Sequence, residues 1–331
     1  MLASYQPVPA PLSSAATTTG GPGADAPLAP SAPGRTHLRF NVIQRSAPSW
    51  NVFVAADSGA FAAEGLDVEI QQLGVPLATA SIMAGEIDLT SLPFDTLVLT
   101  QGAGDMVAIG SEAETPIFTL VGGPGITSAA ELRGKIVAAA GPSGTSAGLT
   151  RKLAASLGLG PADYQMLSVG GSPERYAALL SGQVGAALMS QPFDLQAIRQ
   201  GFKPLARTSD VVPDLAFTVF VTTRPWLRAH HDVAVRFLRA VIRANGWLYD
   251  PANRAAAEDI LVRATGVDPE LAAEVYALYL QNVKIYRPDA AVVPRHLQGS
   301  IDMLLEVGAI APPAPRPEQY LDLEPLREAQ R

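Results

Sequence analysis

The chain has 331 residues, 48% of them hydrophobic and 17% charged, with a net charge of −7. A length of about two domains with this much apolar material supports one or two real cores and argues against wholesale disorder or a coiled coil. The acidic balance disfavours nucleic acid or an anionic membrane face as a partner. The absence of cysteine removes disulfides, thiolate metal sites, iron–sulfur clusters and a cysteine nucleophile. Only His37, His230, His231 and His296 are available for imidazole chemistry. No three residues have metal-ligand spacing, and no cofactor is expected.

Residues 1–36 are almost all Pro, Ala, Ser, Thr and Gly, with Asp25 and Arg35 the charged exceptions. Such a segment cannot bury enough apolar surface to offset its ordering entropy, so it reads as a disordered arm. It also lacks the basic start and unbroken apolar stretch of a secretion signal. An exported protein would carry that signal upstream or have lost it; a cytoplasmic location is the alternative. No run of about 18 apolar residues is present, so no transmembrane helix is expected.

From Leu38 onward, short apolar runs alternate with helical segments. Strands are expected at 38–44, 68–72, 87–92 and 106–110, with helices at 50–64, 77–84 and 94–101 between them. A second series follows: strands at 117–121, 135–140, 164–169, 186–189 and 204–208, with helices to about 157, from 172 to Gly182, and at 193–199. Ser128 and Glu131 form a capping-box signature, and Ser172-Pro173-Glu174 reads as an N-cap, a first-position proline and a first-turn acid. A β-rich run at 216–222 leads into Pro225. Beyond it the chain turns helical, at 232–249, 252–264, 269–280 and 296–307, and a Pro-rich tail from 312 wraps the surface. Strand–helix alternation implies an α/β architecture with parallel pairing. Two such units imply two lobes: residues 37–118 with 223–331, and residues 119–222, joined by crossovers near 115–123 and 216–224. The cleft between the lobes is the default ligand site.

Four segments, in order and spacing, carry a resemblance. They are Ala56-Asp57-Ser58-Gly59-Ala60-Phe61 running on through Glu64-Gly65-Leu66-Asp67-Val68-Glu69, then Gly85-Glu86-Ile87-Asp88, then Ile126 to Val137 with Leu132-Arg133-Gly134-Lys135, and Leu180-Ser181-Gly182-Gln183-Val184. Together they resemble type II periplasmic binding proteins, more narrowly the sulfonate, taurine, nitrate and pyrimidine-precursor (NMT1-like) branch, over roughly residues 38–310. The resemblance implies a two-lobed type II fold, each lobe a mostly parallel sheet flanked by helices. These are structural motifs. Gly65 and Gly85 suit helix C′ positions, where positive φ is cheap for glycine. Phe61, Leu66 and Val68 are core anchors, and Asp67 and Asp88 read as turn or cap residues.

Ligands of open α/β sheets sit beyond the carboxyl ends of the strands, which selects five loops. The first supplies Arg45, Ser46, Trp50 and Asn51; Trp50 either closes over a ligand or packs as core, and Arg45 is either a counter-ion or a surface residue. The second supplies Gly74 and Leu77 at a helix start. The third supplies Ser91 and Phe94, and its apolar 92–94 run hints at a ligand with an apolar body. The fourth, Gly141 to Ser146, supplies Ser143, Gly144 and Thr145. It is the best anion cradle in the chain, although it lacks the lysine of a P-loop. The fifth supplies Gln191 and Phe193, the latter a possible stacking wall. Glu112 and Glu114 bind an ammonium or, as favoured, form a solvated hinge pair.

The resemblance implies a monomeric solute receptor that serves an ABC permease and ATPase outside the cytoplasm. It would capture a small anionic compound, a sulfonate or aromatic carboxylate, or a heterocycle, by hinge closure. A same-fold cytoplasmic enzyme, a lyase or a pyrimidine-precursor type, is the alternative; a desulfinase is disfavoured because its chemistry resembles cysteine catalysis. A cytoplasmic ligand sensor is a third, weaker reading.

Overall fold

A computed structural model of the chain describes residues 34–100, 105–141, 144–212 and 214–331. Most of the expected N-terminal arm, and the expected ligand contact Ser143, lie outside them. The first lobe opens with β1 (Thr36–Val42), α1 (Trp50–Asp57) and α2 (Ala60–Ala63), then β2 (Leu66–Gln72), α3 (Val75–Met83), β3 (Leu89–Pro93), α4 (Phe94–Leu99) and β4 (Met106–Ala113). The second comprises β5 (Phe118–Gly122), β6 (Ile136–Ala139), α5 (Gly144–Ser156), β7 (Gln165–Ser168), α6 (Ser172–Leu180), β8 (Ala186–Ser190), α7 (Phe193–Arg199), β9 (Pro204–Arg207) and α8 (Thr208–Val211). The chain then returns through β10 (Thr218–Thr223) to α9 (Arg224–Ala229), α10 (His231–Tyr249), α11 (Arg254–Thr265), α12 (Pro269–Tyr276), a π-helical segment Ala277–Val283, α13 (Pro294–Glu306) and α14 (Glu324–Ala329).

These strands form two five-stranded sheets, ordered β2-β1-β3-β10-β4 and β7-β6-β8-β5-β9. The expected α/β architecture is present, and both sheets are mixed. β1 pairs in parallel with β2 and β3, and β6 with β7 and β8. β10 runs antiparallel to β3 and β4, and β5 antiparallel to β8 and β9. The physical reason is connectivity: each of these two strands enters its sheet from the other lobe, at the end where the parallel strands finish. β10, at the expected second crossover, lies in the first sheet between β3 and β4.

The two crossovers are bound to each other. Thr208 Oγ1 accepts the Phe118 N–H at 2.8 Å and donates to Pro116 O at 2.8 Å. The Phe217 N–H donates to Glu114 O at 3.2 Å, and Phe118 and Phe217 pack edge to face at 5.3 Å. α13 lies against α4 of the first lobe and α5 of the second. The largest apolar cluster is built around the stacked rings of Phe40, Phe61 and Phe237.

Local signals set the ends of the elements. Gly65 and Gly85 adopt φ of 67° and 72°, the left-handed values that stop a helix cheaply only at glycine. The Ser128–Glu131 capping box forms around a 3-10 turn, with the Glu131 carboxylate accepting the Thr127 and Ser128 N–H groups. Asp88 accepts two hydrogen bonds from the Arg39 guanidinium and one from its backbone N–H. Among the described residues, no helix is long and apolar enough to cross a membrane.

Candidate functional site

The loops at the carboxyl ends of the parallel strands meet across the interlobe cleft. Gln44, just past β1, spans it. Its Oε1 accepts the Ser172 N–H at 3.0 Å, and its Nε2 donates to Ser190 Oγ at 3.2 Å and to Ser46 Oγ at 3.0 Å. Beside it, the Ala47 N–H donates to Gln191 O at 3.3 Å. Gln191 is held on both sides: Nε2 donates to Asp194 Oδ2 at 2.7 Å, and Oε1 accepts from the Tyr279 hydroxyl at 2.9 Å. Asp194 also accepts from Thr119 Oγ1 at 2.7 Å, and burial pushes its carboxyl up to about 6. Side chains from both sheets and from the C-terminal segment thus build one polar layer.

On the first-lobe side, Glu112 stands at the end of β4 and is fully buried. Ser91 Oγ donates to its Oε1 at 2.6 Å, and the Ser49 and Thr218 hydroxyls face the carboxylate. Removal from water raises its carboxyl to about 7, because burial penalises the charged form. The solvated hinge pair expected of Glu112 and Glu114 is therefore corrected. Glu112 is buried against Ser91, while the half-buried Glu114 faces His296 at 3.5 Å and Arg287 at 3.9 Å.

On the second-lobe side, the guanidinium of Arg175 is buried. It donates to Leu188 O at 2.6 Å, to Gly170 O at 2.5 Å and to Ser172 Oγ at 3.0 Å. Ser172 itself is not the expected N-cap: Gly171 caps α6, and the Ser172 hydroxyl turns toward Ser190 at 3.0 Å. Arg175 gave one sequence signal. It stands three and four positions before Ala178 and Leu179, on the helix face that those residues bury.

The expected anion cradle holds a protein carboxylate. Asp95 Oδ2, from the first lobe, accepts the Thr145 N–H at the start of α5. A Cβ on Gly144, whose φ is +80°, would stand 2.6 Å from that oxygen. Asp95 is buried, and desolvation raises its carboxyl against the opposing pull of the Thr145 hydroxyl and N–H. In this arrangement an N–H in the first turn of α5 is already taken by a carboxyl oxygen of the protein.

The other expected contacts divide sharply. Ser46, Ser91 and Gln191 lie in the polar layer. Trp50 is core: it is fully buried, donates its indole N–H to Ala257 O at 3.0 Å and packs on Tyr276. Phe94 is also core, edge-on to Tyr320 in the cluster under α3, α4 and α13. Asn51 is spent on Glu112 O and Asn245 Oδ1, both at 3.1 Å. Arg45 is exposed, with its guanidinium over the Phe53 ring at 5.6 Å. Gly74 caps α3, and Leu77 on that helix is 56% exposed. Phe193 is half-buried against Tyr176 and the smaller core cluster of the second lobe. Gln44, Ser172 and Arg175 were not anticipated: the cleft partners of Gln44 lie 128 and 146 positions away, while Ser172 and Arg175 read only as the start of a helix.

A model of the family described as NMT1/THI5 like matches residues 48–255, more than half of the chain. The chain belongs to the NMT1/THI5-like family. Solved structures extend the likeness in fold over both lobes. The periplasmic nitrate-binding protein NrtA from Synechocystis PCC 6803 superimposes with a TM-score of 0.77 at 17% identity, covering 89% of this chain and 88% of that one. The alkanesulfonate-binding protein SsuA from Xanthomonas axonopodis pv. citri, bound to MOPS, gives 0.67 at 20% identity, covering 83% and 94%. A DszB mutant in complex with biphenyl-2-sulfinic acid gives 0.61 at 15% identity, covering 88% and 98%. A search of curated proteins finds no match. In this member of the NMT1/THI5-like family, the described cleft groups are carboxylates, amides and hydroxyls, with one buried guanidinium behind them.

Proposed function

We propose that this protein is the solute-binding component of an ABC importer. It works outside the cytoplasm, holds a small polar organic solute between its lobes and presents the closed form to a permease and its ATPase. The observation that carries this reading is the polar layer itself. Two sheets joined by two crossovers bring Gln44, Ser172, Ser190 and Gln191 together across the cleft. A solute that contacts both walls binds the closed arrangement better than the open one, and that difference in affinity drives closure. The family and the named transport proteins of the same fold support the reading. The fold also serves a protein that holds a sulfinic acid, so chemical change of the solute is the competing outcome.

Sulfonates, aromatic carboxylates and heterocycles are the classes to screen. The test is a thermal-shift panel of all three on the purified chain, with the bound solute recovered for mass spectrometry. A concentration-dependent shift with the solute recovered intact is the expected result. A solute recovered chemically changed refutes the receptor reading in favour of an enzyme.

A further inference from the structure

The hinge holds a buried histidine between two carboxylates, one from each crossover. His296 lies in the first turn of α13 and is 3% exposed. Its Nδ1 faces Glu114 Oε1 at 3.5 Å, and its Nε2 faces Asp214 Oδ1 at 3.4 Å. Glu114 directly follows β4, and Asp214 lies between α8 and β10. The backbone fixes this placement. The Glu114 N–H donates to Ile285 O at 2.8 Å, and the Ala216 N–H donates to His296 O at 3.0 Å and to Ser300 Oγ at 3.1 Å. The first turn of α13 thus sits on the second crossover and looks across at the first.

The proton count is one short. Arg295 Nε donates to His296 Nε2 at 3.3 Å, so the neutral ring carries its single proton on Nδ1, toward Glu114. Its Nε2 lone pair then faces the Asp214 carboxylate, and Arg295 Nε, 3.3 Å from the same oxygen, serves both. A second proton turns Nε2 into a donor to Asp214 and leaves Arg295 to Asp214 alone. The remaining charges act through Glu114: Arg287 lies 3.9 Å from its Oε2 and is paired with Asp289. Tyr249 of α10, which burial raises to about 12, stays neutral. Burial pulls the His296 imidazole below its ordinary value against the attraction of Glu114 and Asp214, so it is neutral near pH 7 and charges in mild acid.

We propose that His296 is a proton-operated pin in the hinge: on taking up a second proton it bonds Glu114 to Asp214 and shifts the lobes toward the closed form. A proton, like any ligand, favours the form that holds it better. The arrangement with the lobes bonded across the cleft is the one that brings both carboxylates to the ring. Because α13 stays on the second crossover, burial of the ring is common to the open and closed forms, and the distance to Glu114 is what opening changes. The inference rests on the hinge motion of the receptor reading and on no particular solute.

The experiment reads lobe separation directly. The chain has no cysteine, so Ala80→Cys on α3 and Gln183→Cys before β8, both exposed, take a fluorescent dye pair for single-molecule energy transfer on the full chain without added solute. From pH 8 to pH 5 the ratio of closed to open molecules should rise by about tenfold, the scale of one hydrogen bond to a charged group. His296→Gln should remove this gain, and so should Glu114→Gln, which leaves the ring in place. The buried carboxylates of the cleft also titrate in this range, and the difference between wild type and His296→Gln excludes their share. Imidazole nitrogen spectra, assigned with His296→Gln, should show the ring charging within the same window. Two populations whose ratio ignores pH, an equal response in His296→Gln, a closed fraction that falls in acid, or a ring still neutral at pH 5 overturns the pin while leaving the receptor reading in place. A single unmoving separation at every pH overturns both.

Discussion

Replacing Gln44 by alanine should open the cleft without unfolding the lobes. The side chain contributes two hydrogen bonds across the cleft, to the Ser172 N–H and to Ser190 Oγ. Both join neutral groups, so each is worth about 1 kcal/mol and the pair about 2 kcal/mol, or about 30-fold in the ratio of closed to open forms. The reporter should be a bond that Gln44 does not make. The Ala47 N–H, which donates to Gln191 O, exchanges with solvent only when the lobes part. Its hydrogen exchange should accelerate by about 30-fold in Gln44→Ala, while the core strands stay protected. Gly171→Ala provides the partner for a double-mutant cycle. Its φ of −77° is open to alanine, but the new Cβ would stand 2.7 Å from Gln44 Oε1. It should displace that oxygen and push aside the flexible Glu174 carboxylate at 2.9 Å, cost about 1 kcal/mol alone and cost less when Gln44 is already alanine. Additive effects, or an Ala47 amide that exchanges at the same rate in Gln44→Ala, would refute the claim that this side chain holds the lobes together.

The buried carboxylates predict the sign of a pH effect. Burial raises Glu112 from 4.5 to about 7 and Asp194 from 3.8 to about 6. Their contribution to stability is complete below the ordinary carboxylate values and is lost as pH rises through about 6 and then about 7. Thermal melts between pH 5 and pH 8 should show a fall toward high pH that Glu112→Gln makes shallower. An identical slope in wild type and variant would remove Glu112 as its source. Gly299→Ala should lower stability by about 1–3 kcal/mol, read by denaturant unfolding, because a Cβ there meets the backbone carbonyl of Asp214 where α13 packs on the second crossover. An unchanged midpoint would mean that this contact can move aside.

Part of the site was visible in the sequence because the rule that ligands gather beyond strand ends needs only the order of elements. That rule selected the loops of Ser46, Ser91, Thr145 and Gln191, all of which line the interlobe contact. It failed for the aromatics. Trp50 and Phe94 follow strand ends just as those residues do, but helix periodicity turns them inward, Trp50 toward Ala257 and Tyr276 and Phe94 toward Tyr320. At the Gly144 turn it identified the donor side alone. Its backbone was recognised as an anion cradle, and the group the Thr145 N–H holds is the carboxyl of Asp95, fifty positions earlier in the chain.

What the sequence determined by itself is what depends on neighbours within a few residues. Gly65 and Gly85 end helices because only glycine enters the left-handed region cheaply, and Ser128 with Glu131 builds its own cap. The alternation of apolar runs and amphipathic segments was enough to specify two α/β units. Tertiary structure alone decided the antiparallel entry of β5 and β10, the burial of Glu112 and Arg175, and the bridge from Gln44 to Ser190 across 146 positions. The physical reason is that a charge or an amide has no fixed role until its partner is known. For Gln44 the partners come from the other lobe, for Glu112 Thr218 comes from a strand the chain adds late, and for Arg175 the Leu188 carbonyl comes from the next strand of its own sheet, so each meets its side chain only when that sheet is in place.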